Sequence, residues 1–412
     1  MRARSNLIYS IAAQFCFAGL SIVLNGYALA VMETDQAVTF VLIFAVAQSY
    51  APVHNSLINL TLASLSPRMS ESRREGYGVL TLGWSVKLAL IHSGLILGVF
   101  LLMPEGKITA ALALFGYCLV AALVNFLRQW LFQAGAFRNA MVMDGSALII
   151  ATLTMTGLYA ILGPSGISPA LLLSVGTIAR LIVLVVHRNR LPTGRVMPAR
   201  LARGFQALHL RQWRKVALLS LANYLRQGLV YILLPYTMSA VGVLMLRAAD
   251  LLILPLRQIS GGAISFLVPL VSREGSSSRT RRTTFWVAGS FGLAVAGVYL
   301  MLRWGGAGDI LPIRFASVIE GTGGLLLAVA FITHLLAAAM IGLLRGAFDF
   351  RHLALSSILA NGTGIAMVLA LTYMTGDWRW GLAGFIGIDV GFLILSLSKR
   401  KTILSSEDRL RR

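Results

Sequence analysis

Twelve apolar runs follow one another along this chain, most of them near the length of helix that crosses a bilayer, with polar breaks between them. They fall at roughly 7–30, 37–65, 78–103, 108–132, 141–162, 167–187, 216–239, 241–271, 284–302, 322–345, 353–375 and 381–398. Since about 20 apolar residues in a helix span the ~30 Å of hydrocarbon, each run reads as one crossing. The expected fold class is an all-α polytopic membrane protein. Composition points the same way: 57% hydrophobic and 12% charged residues, with a mean hydropathy of +0.78, is too apolar for a soluble globule.

A formal net charge of +21 would otherwise suggest nucleic acid. The positions of the charges argue against it, because they lie mostly between the apolar runs. Of the 36 Lys and Arg residues, 26 belong to one alternating set of loops, which includes both ends of the chain. Under the positive-inside rule that set is cytoplasmic, facing the anionic head groups of the inner leaflet. The expectation is therefore a multi-pass protein of the cytoplasmic (inner) membrane with both termini cytoplasmic and membrane lipids as its surroundings. The first run resembles a signal peptide in its Arg2 and Arg4 and its Ala28–Leu29–Ala30, but it is longer than a 7–15-residue secretory core and reads as a retained span. Cys16 and Cys118 both fall inside runs, so no disulfide framework is expected.

The longest hydrophilic stretch, 188–215, carries many Arg residues and Pro192 and Pro198. Six runs precede it and six follow. The expected organisation is an N-terminal six-helix lobe over 1–187, a basic cytoplasmic linker over 188–215, a C-terminal six-helix lobe over 216–398 and a tail over 399–412, with a central cavity between the lobes as in transporters built from repeats. A faint internal echo supports this. The second run ends in Leu65, Ser66, Pro67, Arg68, Met69, Ser70 and the eighth in Leu267, Val268, Pro269, Leu270, Val271, Ser272, each before a basic loop.

Six cations sit inside the runs: Lys87, Arg128, Arg180, Arg226, Arg247 and Arg257. Each costs about 2.5–3.5 kcal/mol in hydrocarbon, so it needs water, a counter-charge or an anionic ligand. Lys87, Arg128 and Arg180 lie within two or three turns of the cytoplasmic side and are expected to snorkel to the head groups. Arg226 and Arg257 sit too deep for that and point to a hydrated site. Polar side chains also form stripes at helical spacing: Gln14, Ser21 and Asn25; Gln48, Pro52, Asn55 and Asn59; Asn125, Arg128 and Gln129; Asn223, Arg226 and Gln227; Arg247, Asp250, Arg257 and Gln258. Such stripes also glue helices together, so the spacing alone leaves both readings open. Asp250 is the natural counter-ion of Arg247 or Arg257, or else a proton carrier. His92 and His334 read as single buried polar contacts.

The two halves, the basic linker and an eighth run reading Gly242, Val243, Leu244, Met245, Leu246, Arg247, Ala248, Ala249, Asp250 and closing with Pro269 and Ser272 resemble the polysaccharide repeat-unit flippases, of the O-antigen and exopolysaccharide type, in the multidrug/oligosaccharidyl-lipid/polysaccharide (MOP) exporter superfamily. The resemblance implies a MATE- and MurJ-like architecture with spans 1, 2, 7 and 8 lining the cavity. It implies transport, not catalysis, of an undecaprenyl-diphosphate-linked oligosaccharide from the cytoplasmic to the outer leaflet. Polysaccharide polymerase and export machinery are the implied partners. Guanidinium groups pair with phosphate oxygens in bidentate fashion, and amides suit sugar hydroxyls. Arg226, Arg257 and Arg247 are therefore expected at the diphosphate, with Asn223, Gln227, Asn25, Gln48 and Asn55 toward the glycan.

The sequence holds no phosphate-binding loop, so no cofactor or metal is expected, and a proton or sodium gradient is left to couple transport, with Asp250, Asp144 and Asp389 as candidate carriers. Three rivals stand beside this reading. A MATE-like small-molecule antiporter shares the architecture, although cationic drugs favour acidic sites and these stripes are basic. The peptidoglycan-precursor flippases carry a similar cargo but usually have two further C-terminal spans. A membrane-embedded glycan polymerase or glycosyltransferase needs a catalytic constellation, and the largest external loop offers only Asp309, Arg314 and Glu320.

Overall fold

A computed structural model describes residues 2–66, 69–101, 108–193, 199–274, 278–304, 311–346 and 350–398. Pro67, Arg68 and the tail from 399 lie outside the described residues, as do the side chains of Asn223, Gln227 and Gln258. Every described element is helical, in keeping with the all-α expectation. Among the described residues, ten helices are long and apolar enough to cross a membrane. They account for ten of the twelve runs. Of the other two, run 216–239 is broken into several short helical pieces, and run 241–271 lies in a single 35-residue helix that carries Arg247, Asp250 and Arg257.

The chain forms two compact units, Met1–Ile232 and Leu233–Arg412. In the first, α1 (Arg2–Val31) packs along α7 (Phe137–Leu162), α5 (Glu71–Leu101) along α6 (Ile108–Gln133), and α6 along α8 (Pro169–Val186). Small residues set the spacing. A Cβ on Gly19 would lie 2.8 Å from the Leu148 side chain, and one on Gly176 would lie 2.9 Å from that of Leu24, so each glycine leaves room for a leucine of the neighbouring helix. The ends of the helices follow from local chemistry. Gly163, at a φ of +66°, stops α7 in a conformation that side-chain-bearing residues avoid. Ser168 then caps α8, its Oγ accepting a hydrogen bond from the Leu171 amide, and Pro169 occupies the first helical turn, where its missing N–H costs nothing.

The second span is not one straight helix. It runs as α2 (Thr34–Ala47), a turn at Gln48 and Ser49, α3 (Tyr50–His54), a π turn over Asn55–Asn59 and α4 (Leu60–Leu65). Pro52 explains the first break. It has no N–H to give the Gln48 carbonyl, which is bonded instead by the Ala51 amide at 3.1 Å. The linker contributes α9 (Ala199–Tyr224), which packs against α3, the π turn and α4, and so belongs to this first unit. A second π turn, Leu225–Leu229, follows and packs on α2, and the chain continues into the short α10 (Val230–Leu233).

The second unit contains α11 (Ala240–Glu274), α12 (Ser278–Trp304), α13 (Ile313–Ile319), α14 (Gly321–Gly346), α15 (Phe350–Thr375) and α16 (Trp378–Ser398). α15 and α16 form a tight antiparallel pair around Gly364 and Gly384: a Cβ would lie 2.1 Å from the Ile388 side chain on the first and 2.4 Å from Val368 on the second. Thr372 bonds both its own helix and the Thr237 hydroxyl, at 3.0 Å, which fixes α15 to the start of the unit.

Candidate functional site

In α11, the seven residues from Asp250 to Arg257 make nearly two turns, and the three from Arg247 to Asp250 make a little under one, so all three side chains fall on one flank. Asp250 bridges both cations: its Oδ2 lies 3.2 Å from Arg247 Nη1 and its Oδ1 lies 2.5 Å from Arg257 Nη2. One carboxylate cannot neutralise two guanidiniums. The three side chains sum to one positive charge, and a guanidinium offers five N–H donors in all. Asp250 thus serves both arginines, where the sequence allowed only a choice between them.

Arg226 stands in the π turn Leu225–Leu229, half-buried, on a stretch that packs against α2. A π turn widens the helix by one residue and leaves its hydrogen bonding locally irregular, a feature frequent at functional positions. Asn55 opens the equivalent π turn of the second span; it is exposed and accepts a hydrogen bond from the Asn59 amide at 2.8 Å. The first unit thus brings together Arg226, the Asn55 turn and Gln48, which caps α2, on neighbouring segments. Asn25 is placed differently. It is fully buried in α1 and donates to its own helix at the Ser21 carbonyl, 2.9 Å away.

The other two candidate acids also have basic neighbours. Asp144 accepts from Arg128 Nε at 2.7 Å, and Asp389 lies 3.4 Å from His334 Nδ1. Arg128 also stacks over Phe17 and Phe132, at 4.4 and 4.9 Å from the ring centroids. Arg180 is only 2% exposed and lies over the Tyr117 ring at 4.6 Å. Snorkelling, expected for Arg128 and Arg180, is therefore corrected: both turn inward, one to a carboxylate on the next helix and one to a buried aromatic face, because π-faces and Asp144 offer compensation at less cost than reaching the head groups. Lys87 remains exposed on α5.

Two polar groups, His54 and His209, escaped the sequence reading. His54 is buried and bonds Ser85 at 2.7 Å, while His92, read from sequence as a single polar contact, bonds Ser49 at 3.0 Å. His54 lies about 200° round the helix from Pro52, off the amide stripe, which is why periodicity did not select it. On α9, His209 accepts a hydrogen bond from the Tyr77 hydroxyl at 2.6 Å and also contacts the Leu57 carbonyl, which ties the linker to spans 2 and 3. Burial holds His209 below the usual histidine pKa, and the Leu57 carbonyl works against that shift.

No protein-family model matches the sequence, and no characterised relative is recognisable from it. Solved structures do match. An inward-facing multidrug resistance MATE family transporter of the MOP superfamily superposes with a TM-score of 0.68 at 16% identity, covering 96% of each chain. This is the MATE fold. The lipid II flippase MurJ, in an inward closed conformation, is similar at a TM-score of 0.65 and 12% identity, over 95% of this chain and 87% of that one. A MOP superfamily transporter from Pyrococcus furiosus, described as having a binding pocket of reversed polarity that suggests a different function, matches at a TM-score of 0.59 and 14% identity over 97% and 96% of the two chains. At these identities the likeness establishes the fold: a multi-pass helical membrane protein built like the MOP transporters.

Proposed function

We propose that this protein is a flippase that carries an undecaprenyl-diphosphate-linked oligosaccharide repeat unit from the inner to the outer leaflet of the cytoplasmic membrane by alternating access, as a transporter and not as an enzyme. The observation that carries the reading is the charge of the membrane-embedded polar groups. Among the described residues, Asp144 and Asp250 are paired with arginines and Asp389 lies beside His334, while Arg247, Asp250 and Arg257 together sum to one positive charge. A site for cationic drugs needs the opposite balance. A diphosphate needs this one, because guanidinium donors match phosphate oxygens and the prenyl tail can stay in lipid while the head group crosses. Sharing a fold with a lipid II flippase is consistent with such a cargo. Arg226, Arg257 and Arg247 hold the diphosphate in this reading, and Asn223, Gln227, Asn25, Gln48 and Asn55 face the glycan. For Asn25, fully buried here, that role requires a conformational change. Polysaccharide polymerase and export machinery are the proposed downstream partners, and a proton or sodium gradient the proposed drive.

The test is complementation. Cells lacking the protein are expected to accumulate lipid-linked oligosaccharide on the cytoplasmic side, and Arg226→Ala and Arg257→Ala are expected to insert at normal levels without relieving it. Full relief by the double variant removes these residues from the site. Accumulation of unpolymerised units on the outer side instead assigns the chain to polymerisation, and restored drug efflux assigns it to antiport.

A further inference from the structure

Of the acids proposed to carry a coupling ion, Asp144 and Asp250 have arginines beside them, which lessens any gain from binding a proton, and Asp389 lies 3.4 Å from His334. Two histidines are placed otherwise. His54 of α3 and His92 of α5 line one small cavity, together with Tyr50, Ser93 and Cys118. The cavity volume is about 10 Å³, close to the lower limit for one water molecule. Its wall is polar enough to hold one: His54 Nδ1 and Ser93 Oγ, on two of its lining residues, are buried and have no hydrogen-bond partner among the described residues.

Each histidine also grips a discontinuity of the second span. His92 bonds Ser49, in the turn forced by Pro52, and His54 is the last residue before the π turn at Asn55–Asn59. A helix broken twice within a dozen residues bends more easily at those points than elsewhere. Both ties cross to α5, through Ser85 and through His92 itself.

We propose that His54 and His92 share one proton, bridged by a single water in this cavity, and that its uptake loosens the bend of the second span and so couples a proton gradient to transport. The groups facing the pair are Tyr50 on their own span and Cys118 on α6, with the Arg180 charge of α8 reaching both; on the far side of α3, His209 of α9 is bonded to Tyr77 and Leu57. No carboxylate lines the cavity. A charge on the pair is therefore costly while the cavity holds no more than that one water, and less costly once the span moves and further water enters, so lower pH favours the opened form. The link to a gradient rests on the transporter reading above; the link between proton and bend does not.

Hydrogen–deuterium exchange on the purified full-length protein in lipid nanodiscs separates the two. After correction for intrinsic exchange, amides of residues 48–59 are expected to exchange about tenfold faster at pH 5.5 than at pH 7.5, the change produced by about one unit of difference in proton affinity between the two forms. His54→Gln and His92→Gln should each abolish that difference, with exchange in α6 unchanged as the check on folding. If His54→Gln folds poorly, the half-buried His92→Gln carries the test. Exchange at 48–59 that is indifferent to pH in the natural protein, or pH-dependent in both variants, overturns the proposal. No cargo enters this readout, so failed flipping with pH-linked exchange intact removes the cargo assignment and leaves the proton site standing.

Discussion

Asp250→Asn removes one negative charge and almost no volume, and the structure says how large its effect must be. Both guanidiniums that share this carboxylate are nearly enclosed, with side chains 11% and 12% exposed, and the carboxylate itself is 8% exposed. Breaking a buried ion pair while leaving the partner charged costs about 3–5 kcal/mol. The Asn oxygen still accepts a hydrogen bond, which places the expected loss at the lower end, about 3 kcal/mol. For a unit the size of Leu233–Arg412 that corresponds to a fall in Tm of about 6–12 °C. Thermal unfolding in a mild detergent, followed by tryptophan emission, measures it. A second substitution sharpens the test. Asp250→Asn with Arg257→Met removes the stranded charge as well, and coupling of this kind should restore about 1–2 kcal/mol of the loss. A Tm within about 1 °C of the natural protein for Asp250→Asn, or a double variant worse than the sum of its parts, refutes the claim that one carboxylate stabilises both arginines.

Three further outcomes follow from the packing. His209 is held below its usual pKa by burial, so the unfolded chain binds protons more readily; the stability that His209 contributes is present above about pH 6.5 and is lost as pH falls below it. Protease cutting within 188–215 should therefore rise on acidification, and His209→Gln should flatten that rise. Gly384→Leu drives a side chain into Val368, whose backbone lies 3.1 Å from the added Cβ, and overpacking of this kind costs about 1–3 kcal/mol, which thermal unfolding will report. Asp144→Asn strands Arg128 between Phe17 and Phe132 and should destabilise the first unit far more than Lys87→Gln, whose side chain is exposed.

The crossing segments were legible because lipid enforces one rule on every span: a helix of about 20 apolar residues. Run length alone recovered α5 to α8 and α14 to α16. What a one-dimensional pattern carries poorly is the direction of a side chain and its partner on another helix. Arg128 finds Asp144 sixteen residues away across a helix pair, and Arg180 finds the face of Tyr117; nothing in their spacing distinguishes that from a reach toward the head groups. Asp250 was found because its partners lie on its own helix, where 3.6 residues per turn makes neighbours predictable. The breaks in the second span were half visible. Pro52 announces the turn at Gln48, while the π turn at Asn55–Asn59 has no residue that announces it, and His54 stands out only once that turn and the opposing Ser85 are in place. The linker's packing was not legible in its Arg-rich composition: Phe205 and His209 seat α9 against Tyr77, Trp84 and Leu57, contacts that need partners from distant spans.

The central claim, that membrane-embedded arginines here serve an anionic lipid-linked cargo, is tested most directly by reconstitution. Purified protein in liposomes carrying a fluorescent short-chain prenyl-diphosphate oligosaccharide is expected to expose the label to an impermeant quencher at a rate well above protein-free liposomes. Arg226→Ala combined with Arg257→Ala is expected to return that rate to background. Unchanged flipping by the double variant, or transport of an organic cation in place of the diphosphate, contradicts the account.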